Sequence, residues 1–248
     1  MGFSVLNLHA NLVTRVAELG YETPTPIQAQ AIPAILADRD VMASAQTGTG
    51  KTAAFALPII QKLSVSKTLQ TSKRAVRALV LTPTRELCQQ VSKSFETYAL
   101  GSDLTTALAY GGVSINPQVS ALENGADIVV ATPGRLLDLL HRDVLTLDAV
   151  EFLVFDEADR MLDMGFQDQL DEIIQRVPNH RQTLLFSATY PKTIAAMADR
   201  VMRAPVMVKV KGNNDSDISQ HFYKVSDNQE RIDGIKLLLL SQRPESAL

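Results

Sequence analysis

Short apolar runs alternate with amphipathic stretches along most of the chain. The runs are apolar throughout, as in strands buried on both faces, and the stretches between them repeat their apolar residues at helical spacing. This alternation predicts an α/β fold in which a mostly parallel sheet carries helices on both faces. The predicted strands are Val41–Ala45, Ala78–Leu81, Leu104–Ala109, Ile128–Ala131, Phe152–Phe155, Thr183–Phe186 and Val206–Val210. The predicted helices include Thr52–Leu63, Arg85–Ala99, Gly134–Leu140, Phe166–Arg176 and Lys192–Met202.

Polar clusters follow several of the predicted strands. They come after the strands that end at Ala45, Leu81, Ala131, Phe155 and Phe186. In folds of this class, ligands bind beyond the carboxyl ends of the strands. We therefore expect these clusters to converge on one edge of the sheet, around one site.

A change of composition divides the chain near its end. Residues 211–217 are rich in Gly, Asn, Asp and Ser, which predicts a flexible linker after a domain over residues 1–210. Within residues 218–248, His221–Val225 is predicted as a strand and Asn228–Leu240 as a helix. One strand and one helix cannot bury a core of their own. We interpret this tail as the truncated start of a second domain.

Composition mainly excludes classes of function. The formal net charge of −3 over 248 residues means that any nucleic-acid contact must come from a local patch. The single cysteine, Cys88, excludes an intrachain disulfide and favours a reducing compartment. The four histidines lack metal-ligand spacing. No apolar run reaches membrane-spanning length and the start of the chain lacks a secretory signal, so we expect a cytoplasmic protein without a membrane partner.

The segment Ala45–Thr52 has the form of a phosphate-binding loop between a strand and a helix. Gly48 and Gly50 let backbone N–H groups point at phosphate oxygens, and the helix N-terminus adds partial positive charge. Lys51 can reach the β- and γ-phosphates, and the Thr52 hydroxyl can bind Mg²⁺. An ordinary glycine-rich turn does not account for all of these features together. We expect nucleoside triphosphate binding by Ala45, Gln46, Thr47, Gly48, Thr49, Gly50, Lys51 and Thr52.

A second nucleotide signature follows the strand Phe152–Phe155, which runs into Asp156-Glu157-Ala158-Asp159. One carboxylate, Asp156, can hold a metal ion, and the adjacent Glu157 can orient and deprotonate the attacking water. A solvated helix N-terminus is the usual explanation for such an acidic cluster. The presence of a phosphate loop favours the catalytic interpretation of Asp156, Glu157 and Lys51.

With these residues, the chain resembles the first RecA-like domain of the DEAD-box family of ATP-dependent RNA helicases, in its bacterial form. The resemblance extends over nearly the whole chain and implies a RecA-like P-loop NTPase fold, with ATP and Mg²⁺ as ligands and RNA as a partner. Gly20–Gln28 is similar to the family's adenine-recognising segment. The Gln28 amide can donate to and accept from a base edge, and Phe3 can stack on the ring. The alternatives are a solvent-exposed helix residue for Gln28 and core packing for Phe3.

Further segments resemble the family's contacts with the RNA backbone. Arginine side chains can make charged contacts to phosphates, while threonine hydroxyls and glycine N–H groups can make neutral ones. Ordinary strand-to-helix turns are the alternative, because proline and glycine suit such turns as well. Contacts to the RNA backbone predict little specificity for the RNA sequence. The residues expected to contact RNA in these segments are Pro83, Thr84, Arg85, Gly111, Gly112, Thr132, Pro133, Gly134 and Arg135.

The segment Ser187-Ala188-Thr189 resembles the family's block that couples ATP to RNA. Its two hydroxyls can bond to Asp159 and so link two loops that both sense nucleotide. A helix cap is the alternative function for such residues.

The resemblance also implies what the chain does not carry, namely the second RecA-like domain with its arginine finger and its half of the RNA groove. We therefore expect helicase activity of a longer protein, with that domain as a partner. For these 248 residues we expect a monomer that binds nucleotide with weak or no turnover.

Other functions stay open at this point. A DNA translocase of the same superfamily shares the phosphate loop, although the adenine segment and Ala158 argue against it. An ATP-gated RNA clamp or scaffold has the same sequence signals as a helicase. A nucleotide kinase leaves the acidic block and the Ser-Ala-Thr segment unexplained.

Overall fold

The computed structural model describes residues 2–46, 48–65, 74–210, 221–244 and 246. Residues 1–212 form one compact unit and residues 213–248 form a second. The predicted linker over 211–217 lies outside the described residues.

The first unit is built on a parallel sheet. Its seven strands have the order β3-β4-β2-β5-β6-β1-β7, and every neighbouring pair is parallel. All the predicted strands of this unit are confirmed, with small shifts at their ends. The strands are β1 (Val41–Ser44), β2 (Ala78–Leu81), β3 (Thr106–Ala109), β4 (Ile128–Ala131), β5 (Phe152–Phe155), β6 (Gln182–Ser187) and β7 (Val206–Lys209).

Helices connect these strands and cover the sheet. A short 3₁₀ helix at Phe3–Leu6 comes first. The α-helices are α1 (Ala10–Glu18), α2 (Pro26–Leu36), α3 (Lys51–Val65), α4 (Arg85–Tyr98), α5 (Asn116–Glu123), α6 (Pro133–His141), α7 (Ala158–Asp163), α8 (Gln167–Gln175) and α9 (Lys192–Val201). The predicted helices α3, α4, α6, α8 and α9 are confirmed. Within the described parts of the chain, no helix combines the length and apolar character needed to cross a membrane.

Two apolar cores lie on opposite faces of the sheet. Along β2, Ala78 and Val80 belong to one core, while Leu79 and Leu81 belong to the other. Side chains of a strand point alternately to the two faces, so a strand buried on both sides is apolar at most positions. These mostly apolar strands leave the strand ends and their loops as the places where ligands can bind.

The second unit is described from residue 221 onward. Its helix α10 (Asn228–Gln242) confirms the predicted helix and is capped by Asp227, whose side chain accepts a hydrogen bond from Glu230 N–H at 2.8 Å. The strand predicted at His221–Val225 is wrong, because this segment has no strand conformation. A strand needs a neighbouring strand to satisfy its backbone groups, and the described part of this unit offers none. Phe222 accordingly stays 91% exposed.

Candidate nucleotide site and nucleic-acid interface

The strand order groups the predicted functional segments at one edge of the sheet. Because the strands are parallel, the loops that follow them leave from the same edge, as expected. The three segments predicted to contact RNA follow β3, β4 and β2, which are neighbours. The acidic block, the Ser-Ala-Thr segment and the phosphate loop follow β5, β6 and β1, which are the next three neighbours.

The phosphate loop curls through two glycines in the left-handed region. Gly48 has φ +82° and Gly50 has φ +89°, conformations that residues with a Cβ rarely adopt. Helix α3 begins at Lys51 directly after them, so its unsatisfied N–H groups face the loop. Thr52 is the second residue of this helix. Thr47 lies outside the described residues.

Two further hydrogen bonds hold the loop in place. The Thr49 hydroxyl donates to the Gln46 carbonyl at 2.7 Å, which closes the turn. Ala45 N–H donates to the Ser187 carbonyl at 3.3 Å, which ties the start of the loop to the end of β6. The phosphate loop and the Ser-Ala-Thr segment are therefore in direct contact.

Lys51 and Asp156 are buried charged groups with unsatisfied atoms. Lys51 is 7% exposed and Asp156 is 2% exposed. Lys51 Nζ and Asp156 Oδ1 have no hydrogen-bond partner among the described residues. Burial raises the pKa of Asp156 to about 6, and the nearby Lys51 charge opposes this rise. Buried groups of this kind are costly unless they are satisfied, so both atoms suit a ligand that supplies an anion and a cation together.

This donor set fits a magnesium–triphosphate complex. Within the described residues, no cluster of three or more His, Cys, Asp or Glu side chains can hold a metal ion. Magnesium is typically held by one or two carboxylates together with substrate phosphates. Asp156 and the Thr52 hydroxyl would supply the protein side of such a site.

Adjacent acids after β5 occupy different environments. Asp156 lies in the interior, whereas Glu157 directly precedes α7 with φ 54° and keeps 15% of its side chain exposed. A non-glycine residue in the left-handed region carries backbone strain, which is typical of functional turns. The Glu157 carboxylate accepts a hydrogen bond from Arg160 Nη1 at 3.3 Å. Two carboxylates in different environments can take different chemical roles.

Asp159 joins the acidic block to the Ser-Ala-Thr segment. Its carboxylate accepts hydrogen bonds from the Thr189 hydroxyl at 2.9 Å and from Thr189 N–H at 3.0 Å. The Ser187 hydroxyl donates to the Thr189 carbonyl at 2.7 Å. Burial alone raises the pKa of Asp159, but the hydrogen bonds from Thr189 and from Arg160 N–H outweigh burial and hold the pKa below its usual range.

Gln28 lies against the phosphate loop. Its Oε1 accepts from Thr25 N–H at 2.9 Å, and its Nε2 donates to the Gly50 carbonyl at 3.1 Å. Thr25 and Gln28 form a capping box that starts α2. Gln28 is therefore buried rather than solvent-exposed, and its amide is engaged within the protein. For Phe3 the structure favours core packing, because the ring is 3% exposed and has little free face for an adenine.

The first predicted RNA segment starts α4. Pro83 is buried, and the Thr84 hydroxyl caps the helix by accepting from Leu87 N–H at 3.3 Å. Arg85 is exposed in the first turn, with its Cζ 5.9 Å from the centre of the Tyr110 ring. Of these residues, Arg85 has a charged group available to a phosphate.

The other two segments contact each other. Gly112 is exposed with φ +79°, and the loop around it is tied to α6 by Arg135 Nη2, which donates to the Val113 carbonyl at 2.9 Å. Gly134 is exposed in the first turn of α6. The structure thus brings together the predicted residues Gly111, Gly112, Thr132, Pro133, Gly134 and Arg135.

Sequence reasoning missed some residues at this edge. Arg160 lies three positions after Glu157, and this helical spacing is a signal that can identify it. Tyr110 directly precedes the Gly111-Gly112 pair at the end of β3. An aromatic residue at the end of an apolar run has no distinctive signal, since core packing accounts for it equally well.

Comparison with known proteins identifies the family. The DEAD/DEAH box helicase family matches residues 25–197. The DEAD-box ATP-dependent RNA helicase CshA of Streptococcus pneumoniae is 42% identical over 250 residues, covering 100% of this chain and 46% of that protein. The ATP-dependent RNA helicase DbpA of Escherichia coli is 45% identical over 249 residues, covering 99% of this chain and 53% of that protein.

A solved structure agrees with these matches. The crystal structure of a DEAD box protein from the hyperthermophile Methanococcus jannaschii has a TM-score of 0.78 and 40% identity, covering 96% of this chain and 63% of that one. The chain spans about half the length of the curated relatives it matches. The family match lies across the phosphate loop, the acidic block and the Ser-Ala-Thr segment, and we conclude that the chain belongs to the DEAD/DEAH box helicase family.

Proposed function

We propose that this chain is the N-terminal ATP-binding domain of an ATP-dependent RNA helicase, which couples ATP binding and hydrolysis to local unwinding of RNA duplexes. One observation carries the nucleotide part of the proposal. Lys51 Nζ and Asp156 Oδ1 are buried without hydrogen-bond partners among the described residues. A triphosphate with Mg²⁺ satisfies both groups at once.

The residues of the site divide the work of binding and chemistry. Lys51 and the N–H groups at the start of α3 hold phosphate oxygens. Asp156 and the Thr52 hydroxyl hold Mg²⁺, which neutralises charge on the phosphates when it is bound. Glu157 orients the attacking water and accepts its proton. Arg160 is bonded to the Glu157 carboxylate and keeps it in position.

The Asp159–Thr189 hydrogen bonds supply a route from nucleotide to RNA. Asp159 lies three positions after the proposed metal ligand Asp156, and Ser187 contacts the phosphate loop through the bond from Ala45 N–H. A change at the phosphates therefore reaches the Ser-Ala-Thr segment from both sides. A partner domain seated on this edge would sense that change.

The RNA part of the proposal rests on exposed backbone-binding groups. Arg85, Gly112 and Gly134 are exposed after neighbouring strands. Because the chain spans about half of its relatives, we propose that a second RecA-like domain completes both the ATP site and the RNA groove. The chain alone then binds RNA weakly, without sequence preference, and turns over ATP slowly or not at all.

The nucleotide proposal is tested by thermal unfolding of this chain with MgATP, MgADP and MgGTP. A ligand that binds only the folded state raises the melting temperature with its concentration. We expect adenine nucleotides to give the larger shift, because the Gln28 amide can recognise adenine once it is released from Gly50. Equal shifts with GTP and ATP would contradict the role of Gln28.

Lys51→Ala should remove most of the shift, whereas the matched control Lys93→Ala, on the exposed face of α4, should retain it. An unchanged ATP affinity in Lys51→Ala would refute the role proposed for Lys51.

The alternatives are tested with a longer chain that includes the following domain. Stimulation of ATP hydrolysis by RNA and not by DNA is expected, and the reverse would favour a DNA translocase. ATP-dependent RNA binding without strand separation would favour a clamp.

A further inference from the structure

Tyr110 is fixed at its backbone by one buried side chain. Gln118 on α5 accepts a hydrogen bond from Tyr110 N–H at 3.1 Å and donates to the Tyr110 carbonyl at 3.0 Å. Gln118 is buried, so these bonds are partly shielded from water. Tyr110 is the last residue before the Gly111-Gly112 pair, and the two bonds fix the path on which the chain enters that pair.

The Tyr110 ring is fixed as well, and by the helix that carries Arg85. Gln89 Nε2 donates to the Tyr110 hydroxyl at 2.9 Å. Four positions earlier on α4, Arg85 has its Cζ 5.9 Å from the centre of the same ring. A guanidinium at this distance is attracted by the ring face, which restricts the otherwise mobile Arg85 side chain.

We propose that Tyr110 is a positioning residue for the RNA backbone, which holds the Arg85 guanidinium in place beside the Gly111-Gly112 pair. The inference rests on the proposed function, since it requires Arg85 to contact a phosphate. An exposed arginine loses side-chain freedom when it binds, and a side chain that is already restricted loses less. Tyr110 therefore acts through Arg85 and makes no sequence-specific contact of its own.

The test measures binding of this chain to a fluorescently labelled single-stranded RNA over a range of salt concentrations. The variants are Arg85→Ala, Tyr110→Met and the double variant, with Tyr110→Phe as the conservative replacement. Methionine fills the volume with a flexible apolar chain but provides no ring face. Tyr110→Leu replaces Tyr110→Met if the latter does not unfold cooperatively. The shift in melting temperature with MgADP verifies that each variant keeps its fold and its nucleotide site.

We expect Arg85→Ala to weaken binding and to reduce the slope of log affinity against log salt by about 0.7, the value for one phosphate contact on a single strand. Tyr110→Met should lower the same slope, by up to that amount. The double variant should bind no more weakly than Arg85→Ala, because both changes remove one contact. Tyr110→Phe should restore the slope, since it keeps the ring face.

The outcomes separate this inference from the proposed function. An unchanged slope in Arg85→Ala, or no RNA binding by the parent at low salt, would overturn the phosphate contact and the inference with it. A lowered slope in Arg85→Ala beside an unchanged slope in Tyr110→Met would overturn the inference alone. Weaker binding of Tyr110→Met at an unchanged slope would also overturn it, because a ring that stacks on a base contributes without counterion release.

Discussion

The Thr189 hydroxyl donates a hydrogen bond to the Asp159 carboxylate at 2.9 Å, across the loops that follow the adjacent strands β5 and β6. Thr189 N–H donates to the same carboxylate at 3.0 Å. A substitution at Thr189 can remove the bond from the hydroxyl while the bond from the backbone N–H stays. The contributions of these two bonds to coupling can therefore be measured separately. This makes the pair a suitable place to test how nucleotide and RNA binding are coupled.

Thr189→Val removes the hydroxyl at nearly constant volume and should weaken coupling without abolishing nucleotide binding. In a longer chain with the second domain, ATP should raise RNA affinity less than in the parent, with a loss of about 5- to 150-fold if this bond carries most of the coupling. Thr189→Ser keeps the hydroxyl and should behave like the parent. Equal ATP dependence in Thr189→Val and the parent would show that coupling passes elsewhere.

The buried Asp156 should make the folded chain less stable as pH rises. Burial raises its pKa from 3.8 to about 6, so the folded state keeps a proton that the unfolded state has already lost. The stabilising effect of that proton is complete below about pH 4 and is lost as pH rises through about 6. Asp156→Asn should thus gain stability relative to the parent toward neutral pH, on the order of 1–3 kcal/mol. Thermal unfolding from about pH 4 to about pH 7 measures this difference.

The control for this pH dependence is Asp163→Asn, at the exposed end of α7. Because this variant keeps Asp156, it should retain the loss of stability that the parent shows as pH rises. A stability difference for Asp156→Asn that does not grow with pH would contradict a raised pKa in the folded chain.

Mg²⁺ binding should show the opposite pH dependence, since it requires ionised Asp156. The Mg²⁺-dependent part of ADP affinity should increase with pH and level off above about 7, one unit beyond the pKa of about 6. Isothermal titration calorimetry of ADP binding with and without Mg²⁺, repeated at each pH, measures this part of the affinity. Asp156→Ala should lose the Mg²⁺-dependent part at every pH. If that part persists in Asp156→Ala, the metal has another ligand.

Glu157→Gln should separate binding from hydrolysis. Glutamine keeps the shape of the side chain but cannot accept the proton of the attacking water, and losing a general base lowers the rate by about 10²–10⁴. We expect the longer chain to bind MgATP normally and to hydrolyse it more slowly by this factor in single-turnover measurements. Hydrolysis at the parent rate would assign water activation to a different residue.

Gly50→Ala should damage both stability and nucleotide binding. Gly50 has φ +89°, and an added Cβ would lie 2.4 Å from Gln28 Nε2. Strain in the left-handed region and displacement of the Gln28 amide both destabilise the folded state, by more than about 1 kcal/mol together. Gly234→Ala is the control, because a Cβ there meets nothing within 4 Å and φ is not positive. Melting temperatures with and without MgADP distinguish the two effects.

The local pattern of apolar and polar residues was sufficient to predict the strands of the sheet but not every helix. Most strands are apolar and buried on both faces, so the apolar runs of the sequence indicated where the strands lie. Helix α2 gave a weak signal because apolar residues surround it on most sides and Pro33 lies inside it. Its start depends on the capping box of Thr25 and Gln28, which uses the residue that the family pattern assigns to adenine.

Long-range partners set the limits of the site prediction. The phosphate loop and the acidic block could be identified from the sequence, since nucleotide and metal binding require these residue types. The bond between Gln28 and Gly50 joins residues that are 22 positions apart, and the bond between Asp159 and Thr189 joins residues that are 30 apart. Burial of Phe3, and the lack of a neighbouring strand for residues 221–225 in the described part of their unit, likewise depend on the assembled fold.

The order of the strands gives the proposed RNA site a definite size. Its three segments leave β3, β4 and β2, and neighbouring strands lie about 4.8 Å apart, so the outer two are separated by about 10 Å. At about 3.4 Å per stacked nucleotide, this width is a footprint of about three nucleotides. The salt slope of this chain is then limited to about 2. With such a short footprint, a chain of net charge −3 would meet only a few phosphates of a polyanion at the proposed site.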